Sequence, residues 1–86
     1  MALYFINCDL AENRDYVKLF SELAGNFQAV RVLDSLWAFN RLDTNAAELR
    51  DYFQGFLDPE DGVVVAEAAD WAVYNFIEDP APLEQT

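Results

Sequence analysis

The sequence predicts a small α+β domain in which two helices pack on one antiparallel sheet. Apolar runs typical of strands alternate with stripes at helical spacing, in the order β-α-β-β-α-β. Hydrophobic residues make up 53% of the 86 positions, which is enough to form a core in a chain of one-domain length. No stretch approaches the roughly 18 apolar residues of a membrane span, so we expect a soluble protein.

The first strand is predicted over Ala2 to Cys8. Five of the six positions from 3 to 8 are apolar, as in a central strand that is covered on both faces. Asp9 follows at the end of this strand, where ligands and chemistry tend to lie in open sheets. Asp9 is therefore a candidate for a chemical role. A carboxylate that faces solvent or caps the next turn is the simpler interpretation.

The first helix is predicted from Arg14 to Ala24, with Asn13 as its N-cap. Gly25 is expected to end this helix in the left-handed conformation. The apolar stripe of the helix follows the i, i+3, i+4, i+7 spacing and consists of Tyr16, Leu19, Phe20 and Leu23.

Strands two and three are predicted over Phe27 to Leu33 and Leu36 to Leu42. Asp34 and Ser35 between them have turn chemistry, which favours a hairpin. One continuous strand with a bulge at Asp34 is the alternative.

The second helix is predicted to begin at Asn45, which forms a capping box with Glu48, although Thr44 could cap it instead. A turn at 58–62 precedes strand four, which is predicted over Val63 to Glu67. The apolar positions of the helix are Ala46, Leu49, Phe53 and Phe56.

A fifth strand is predicted over Trp71 to Ile77, because apolar residues occupy both alternating sets there. Residues 1–77 then form one domain, and the acidic tail 78–86 is expected to be flexible. Right-handed crossovers place both helices on one sheet face, with strands one and three central. This is a ferredoxin-like β-α-β-β-α-β sandwich with an extra C-terminal strand. No third helix is predicted to cover the opposite face of the sheet, and a second copy of the chain is the simplest candidate for that cover.

The composition is strongly acidic. There are 16 Asp and Glu against 5 Lys and Arg, with no His and a net charge of -11. This charge disfavours nucleic acid as a partner and favours a basic protein surface, a metal, or a purely solubilising role. The lack of His excludes His-based acid–base chemistry and His-ligated zinc. The candidate acidic surface comprises Asp43, Glu48, Asp51, Asp58, Glu60 and Asp61.

Cys8 is the single cysteine, so the chain has no disulfide framework. We expect Cys8 to be a buried small residue rather than a nucleophile, because no base accompanies it. Met1 to Leu3 has no basic start like that of a signal peptide, so a cytoplasmic location is predicted.

Three short motifs resemble a known family. They are NCDL at 7–10 after the aromatic strand, RVLDSLW at 31–37 and DWAVYNF at 70–76. Together they resemble the small CRISPR-associated spacer-acquisition subunits, and most of all their stand-alone relatives labelled SinR-like. The resemblance spans Leu3 to Phe76.

The resemblance implies a ferredoxin-like homodimer whose last strand pairs with the sheet of the partner. The implied interface residues are Trp71, Val73, Tyr74 and Phe76. In family members that are nucleases, the aspartate that ends strand one faces its copy and helps to hold a divalent metal. The matching residue is Asp9, and the implied metal is Mg²⁺ or Mn²⁺, which could activate a water for phosphodiester attack.

Three functions follow in order of preference. The first is a homodimeric, non-catalytic binding module that recognises a basic protein partner. The second is a metal-dependent nuclease that uses Asp9 of each protomer. The third is an acidic mimic of nucleic acid that inhibits a DNA-binding or defence protein, with the acidic surface in place of phosphates.

Overall fold

The computed structural model of the chain describes residues 2–11 and 15–85. Within them lies a four-stranded antiparallel sheet of order β2-β3-β1-β4 with two α-helices, which confirms the predicted α+β class. As expected, β1 and β3 are the central strands. The elements are β1 (Ala2–Asp9), α1 (Val17–Ser21) with a π turn (Glu22–Asn26), β2 (Val30–Arg31), β3 (Leu36–Arg41), α2 (Ala46–Gln54), β4 (Gly62–Glu67) and a 3₁₀ helix (Ala81–Gln85).

Both helices lie on the same face of the sheet, as predicted. Tyr4 and Ile6 of β1 are buried in one cluster with Leu19 of α1 and Phe53 of α2. Alternate side chains of β1, including Leu3, point to the opposite face and belong to a second, smaller cluster. No helix in the described ranges is long and apolar enough to cross a bilayer.

The predicted cap of α2 is present. The Asn45 side chain accepts a hydrogen bond from the Glu48 N–H at 2.9 Å, and its amide donates to Glu48 Oε1 at 3.1 Å. The Asn45 side chain therefore satisfies one of the free N–H groups of the first turn, which fixes where the helix begins.

The first helix differs from its prediction. It begins at Val17, and the predicted N-cap Asn13 and first residue Arg14 lie outside the described residues. Its last turn is a π turn, in which the Phe27 N–H donates to the Glu22 carbonyl at 3.1 Å. Gly25 lies inside this turn with negative φ, so its predicted left-handed role is wrong. Gln28 is the left-handed residue instead, with φ of 50°.

Strand β2 is much shorter than predicted, since the ladder covers only Val30 and Arg31. The reason is Phe27, which turns into the core rather than extending along the sheet. Its ring centroid lies 4.8 Å from that of Phe53 and 4.9 Å from that of Phe39. The predicted hairpin between β2 and β3 is confirmed, and the alternative of one continuous strand is wrong.

The predicted fifth strand does not form: the described residues contain no strand after β4. The segment 71–77 crosses the second face of the sheet, where the Trp71 ring packs edge-on against Phe5 at 5.9 Å. The Ile77 N–H reaches the Val32 carbonyl at 2.7 Å. Asn75 has φ of 54°, and this left-handed residue interrupts an extended backbone.

Described residues of the tail contact the body of the domain. Pro80 is buried, and Leu83 packs against the second cluster. The Asn40 amide donates to the Leu83 carbonyl at 2.5 Å, and the Trp71 indole N–H donates to Glu84. Residues 68–84 therefore cover much of the second face of the sheet, for which the sequence predicts a second copy of the chain as the cover.

Candidate functional site

Asp9 is exposed at the end of the central strand β1, opposite Gly62 of β4. It borders a groove of about 440 Å³ between the end of β1, α1 and the β2–β3 hairpin. In the described parts of the chain, no three Asp, Glu, Cys or His side chains are close enough together to hold a metal ion. The predicted metal role of Asp9 therefore depends on ligands from elsewhere.

Arg31 organises this groove, and its role was not predicted from the sequence. Its guanidinium lies 5.6 Å from the centroid of the Trp37 ring and 5.7 Å from that of Phe20. Its Nη2 donates to the Asp34 carbonyl at 2.6 Å. Arg31 of β2 lies directly opposite Trp37 of β3. The pair can therefore be found from the sequence once the two strands of the predicted hairpin are placed in this register. The contacts hold the cation on an aromatic surface and tie it to the turn.

Cys8 is buried and borders the same groove. Burial, together with the nearby Asp61 carboxylate, raises the pKa of the Cys8 thiol to about 11. At neutral pH the thiol is protonated, so it is a poor nucleophile and metal ligand. This agrees with the role predicted from the sequence.

The raised pKa of Cys8 predicts slow alkylation of the native protein. At pH 8 we expect iodoacetamide to modify Cys8 at least about tenfold more slowly than in urea-unfolded protein, because the folded thiol is protonated and covered. Mass spectrometry of timed samples measures both rates. Equal rates in the two states would contradict this assignment.

The predicted acidic surface contains residues in different environments. Glu48 belongs to the cap of α2. Asp51 accepts hydrogen bonds from the exposed Arg50 at 2.9 Å, a pair of small energetic value. The exposed members of the predicted set are Asp43, Glu48, Asp51 and Glu60, while Asp58 and Asp61 are half-buried.

Asp61 is an internal hydrogen-bond acceptor rather than a surface charge. Its carboxylate accepts from the Ala11 N–H at 2.9 Å, the Tyr16 hydroxyl at 2.8 Å and the Asp58 N–H at 2.8 Å. Burial, followed by the bond to Asp61, raises the pKa of the Tyr16 hydroxyl, which therefore remains a donor at neutral pH. Asp61 thus joins its own turn, the loop after β1 and the start of α1.

The four predicted interface residues divide into two pairs. Trp71 and Val73 pack on the sheet of their own chain, whereas Tyr74 and Phe76 are exposed. A second groove, of about 320 Å³, separates this segment from the β2–β3 hairpin. We call it the apolar groove. It is lined by Phe5, Val32, Leu33, Leu36 and residues 71–74.

Large apolar side chains lie exposed around the apolar groove. Tyr74 is 86% exposed, and Leu33 and Ile77 are also exposed. The Ile77 N–H to Val32 carbonyl bond places the two segments side by side. Leu33 is far from Tyr74 and Ile77 in the sequence, so this surface was not predicted from the sequence. The exposed acidic residues next to these segments in the chain are Asp34, Asp70, Glu78 and Asp79.

Comparison of the chain with protein-family models, with curated proteins and with solved structures finds no match. The resemblance to the CRISPR-associated subunits therefore remains a prediction that rests on the three short motifs.

Proposed function

We propose that this chain is a binding module whose apolar groove receives a basic protein partner. The observation that carries the proposal is the open groove of about 320 Å³ with Tyr74 exposed beside it. A groove of this size accommodates one or two apolar side chains of a partner. The strand order β2-β3-β1-β4, with both helices on one face, supports a ferredoxin-like arrangement as the frame of the module.

The apolar part of the recognition rests on Tyr74, Leu33 and Ile77. Exposed apolar side chains that gather around a groove mark binding surfaces more often than isolated ones do. Burying an aromatic ring removes about 150–250 Å² of surface from water, so Tyr74 is expected to contribute most. Its hydroxyl can meanwhile stay in contact with solvent at the rim of the interface.

The basic character of the partner follows from charge. The chain carries a net charge of -11, and exposed carboxylates of Asp34, Asp70 and Glu78 flank the segments that form the groove. Lysine or arginine residues on the partner would increase the association rate and exclude acidic competitors. The expected partner segment therefore has one or two apolar residues between basic ones.

A second copy of the chain is the other occupant that the sequence predicts for this surface. Exposure of Tyr74 and Phe76 favours it. Two copies that each carry a net charge of -11 repel one another, so apolar contacts must overcome that repulsion. Sedimentation velocity at low and high salt tests the homodimer, because screening strengthens self-association of like-charged copies.

Fluorescence of Trp71 tests the groove directly, since this ring lines it. In a Trp37→Phe background, Trp71 is the only indole of the chain. Titration with a short peptide that has leucine between lysines is expected to shift its emission to shorter wavelength. Binding is expected to weaken at least about tenfold between 50 mM and 500 mM salt, since screening reduces the attraction.

The matched controls are a peptide with glutamate in place of lysine and the variant Tyr74→Ser. The glutamate peptide is expected to leave the emission unchanged, and Tyr74→Ser is expected to weaken lysine-peptide binding about tenfold, as for a central aromatic contact. Equal binding of both peptides, or no effect of Tyr74→Ser, would contradict the proposal.

A further inference from the structure

The outer edge of β4 carries backbone groups that are available for pairing. The Ala68 N–H donates to the Leu3 carbonyl at 2.8 Å, which shows which residue pairs bond across β1 and β4. In an antiparallel ladder these pairs alternate, so Val64 and Ala66 also bond to β1. The intervening Val63, Val65 and Glu67 direct their N–H and C=O groups outward, and no backbone bond in the described chain reaches that side.

The side chains of β4 leave this edge accessible. Val64 is 64% exposed, and Ala66 is also exposed. The six-residue strand GVVVAE contains no lysine or proline, which commonly block an edge strand, and its one charged residue, Glu67, is at its end. An incoming strand could place alternate side chains on Val64 and Ala66 while its backbone pairs with the outward groups.

Charge at the two ends of β4 selects the incoming strand. Exposed Asp9 lies opposite Gly62 at one end, and exposed Glu67 and Asp70 lie at the other. If two β4 strands paired antiparallel, the acidic end of each would lie against the acidic start of the other, which is destabilising. Arg50, which borders this edge near Val63, is already paired with Asp51.

We propose that the β4 edge is a strand-addition site for an extended segment of a basic protein partner. The segment has β-branched residues in its centre and lysine or arginine at both ends. Main-chain bonds to Val63, Val65 and Glu67 provide the binding, and the acidic ends select a basic segment over a second copy. This surface lies at the sheet edge opposite to β2 and is separate from the apolar groove.

Hydrogen exchange of single amides tests the proposal. The probe is a short peptide that alternates threonine and valine between paired lysines. In the free protein the amides of Val64 and Ala66 are expected to be protected and those of Val63 and Val65 to exchange rapidly. Saturating peptide is expected to slow the Val63 and Val65 amides at least about tenfold, as new ladder bonds do.

The variant Val64→Lys adds a positive charge, of the same sign as the peptide, on the exposed face and is expected to abolish this slowing. The shape-matched variant Val64→Thr is expected to keep it. The same peptide with glutamate for lysine is expected to have no effect. The site is refuted if the two outward amides remain unaffected by the lysine peptide in folded protein. If a higher protein concentration without peptide slows exchange of these two amides, the edge binds a second copy of the chain. That result would overturn the proposed occupant. These amides and the Trp71 emission report different surfaces, so either proposal can fail without the other.

Discussion

Replacing Phe39 with alanine is expected to reduce the free energy of unfolding by about 3–5 kcal/mol. Phe39 is fully buried in the centre of β3. Its ring contacts those of Phe27 at 4.9 Å, Tyr4 at 5.9 Å and Phe53 at 6.1 Å between centroids. Alanine would leave a cavity where both helices meet the sheet. A domain of this size has a total stability of only about 4–13 kcal/mol, so the loss is a large part of it.

Urea unfolding followed by circular dichroism measures the effect. The matched control is Phe76→Ala, because Phe76 is exposed and its loss is expected to change stability by less than about 0.5 kcal/mol. If Phe39→Ala does not fold, Phe39→Leu keeps most of the volume and is expected to cost about 1–2 kcal/mol. Wild-type stability in either Phe39 variant would show that this ring is not at the centre of the core.

Replacing Asp61 with alanine is expected to cost about 2–4 kcal/mol, because it removes a charged acceptor that serves several donors. The Ala11 N–H, Tyr16 hydroxyl and Asp58 N–H would lose their partner together. We expect a local loss of structure in addition to the lower free energy of unfolding. The loop after β1 and the start of α1 lose their common attachment, so the Ala11 amide is expected to exchange faster.

The control for Asp61→Ala is Asp70→Ala, which removes an exposed carboxylate of the same type. Its effect is expected to stay within about 0.5 kcal/mol, as for most surface substitutions. Asp61→Asn keeps one acceptor oxygen and is expected to lie between the two. If Asp61→Ala and Asp70→Ala have equal stability, the three hydrogen bonds contribute nothing measurable and Asp61 is an ordinary surface acid.

The parts of the fold that depend on local signals were predictable. The Asn45 cap and the Asp34–Ser35 turn are encoded by residues that lie within a few positions of one another. The long apolar run of β1 also predicted its central place in the sheet, because burial on both faces requires such a run.

The segment 71–77 shows why the remainder was not predictable. Alternating apolar residues fit a strand, but they equally fit a segment that lies across a sheet and places Trp71 and Val73 on it. Hydrogen-bond partners distinguish the two, and they come from distant residues such as Val32. The same limit applies to Asp61, whose contact with Tyr16 joins residues 45 positions apart.

The contacts of residues 68–84 have a consequence for synthesis of the chain. The second cluster, which includes Leu3 and Val32, closes only when Trp71, Val73 and Leu83 pack against it. These residues leave the ribosome last among the described elements, after every strand of the sheet has been made. A nascent chain that ends before them therefore displays an apolar face, the kind of surface that chaperones bind and that favours aggregation. Both faces of the sheet are therefore covered only after residues 68–84 have been translated.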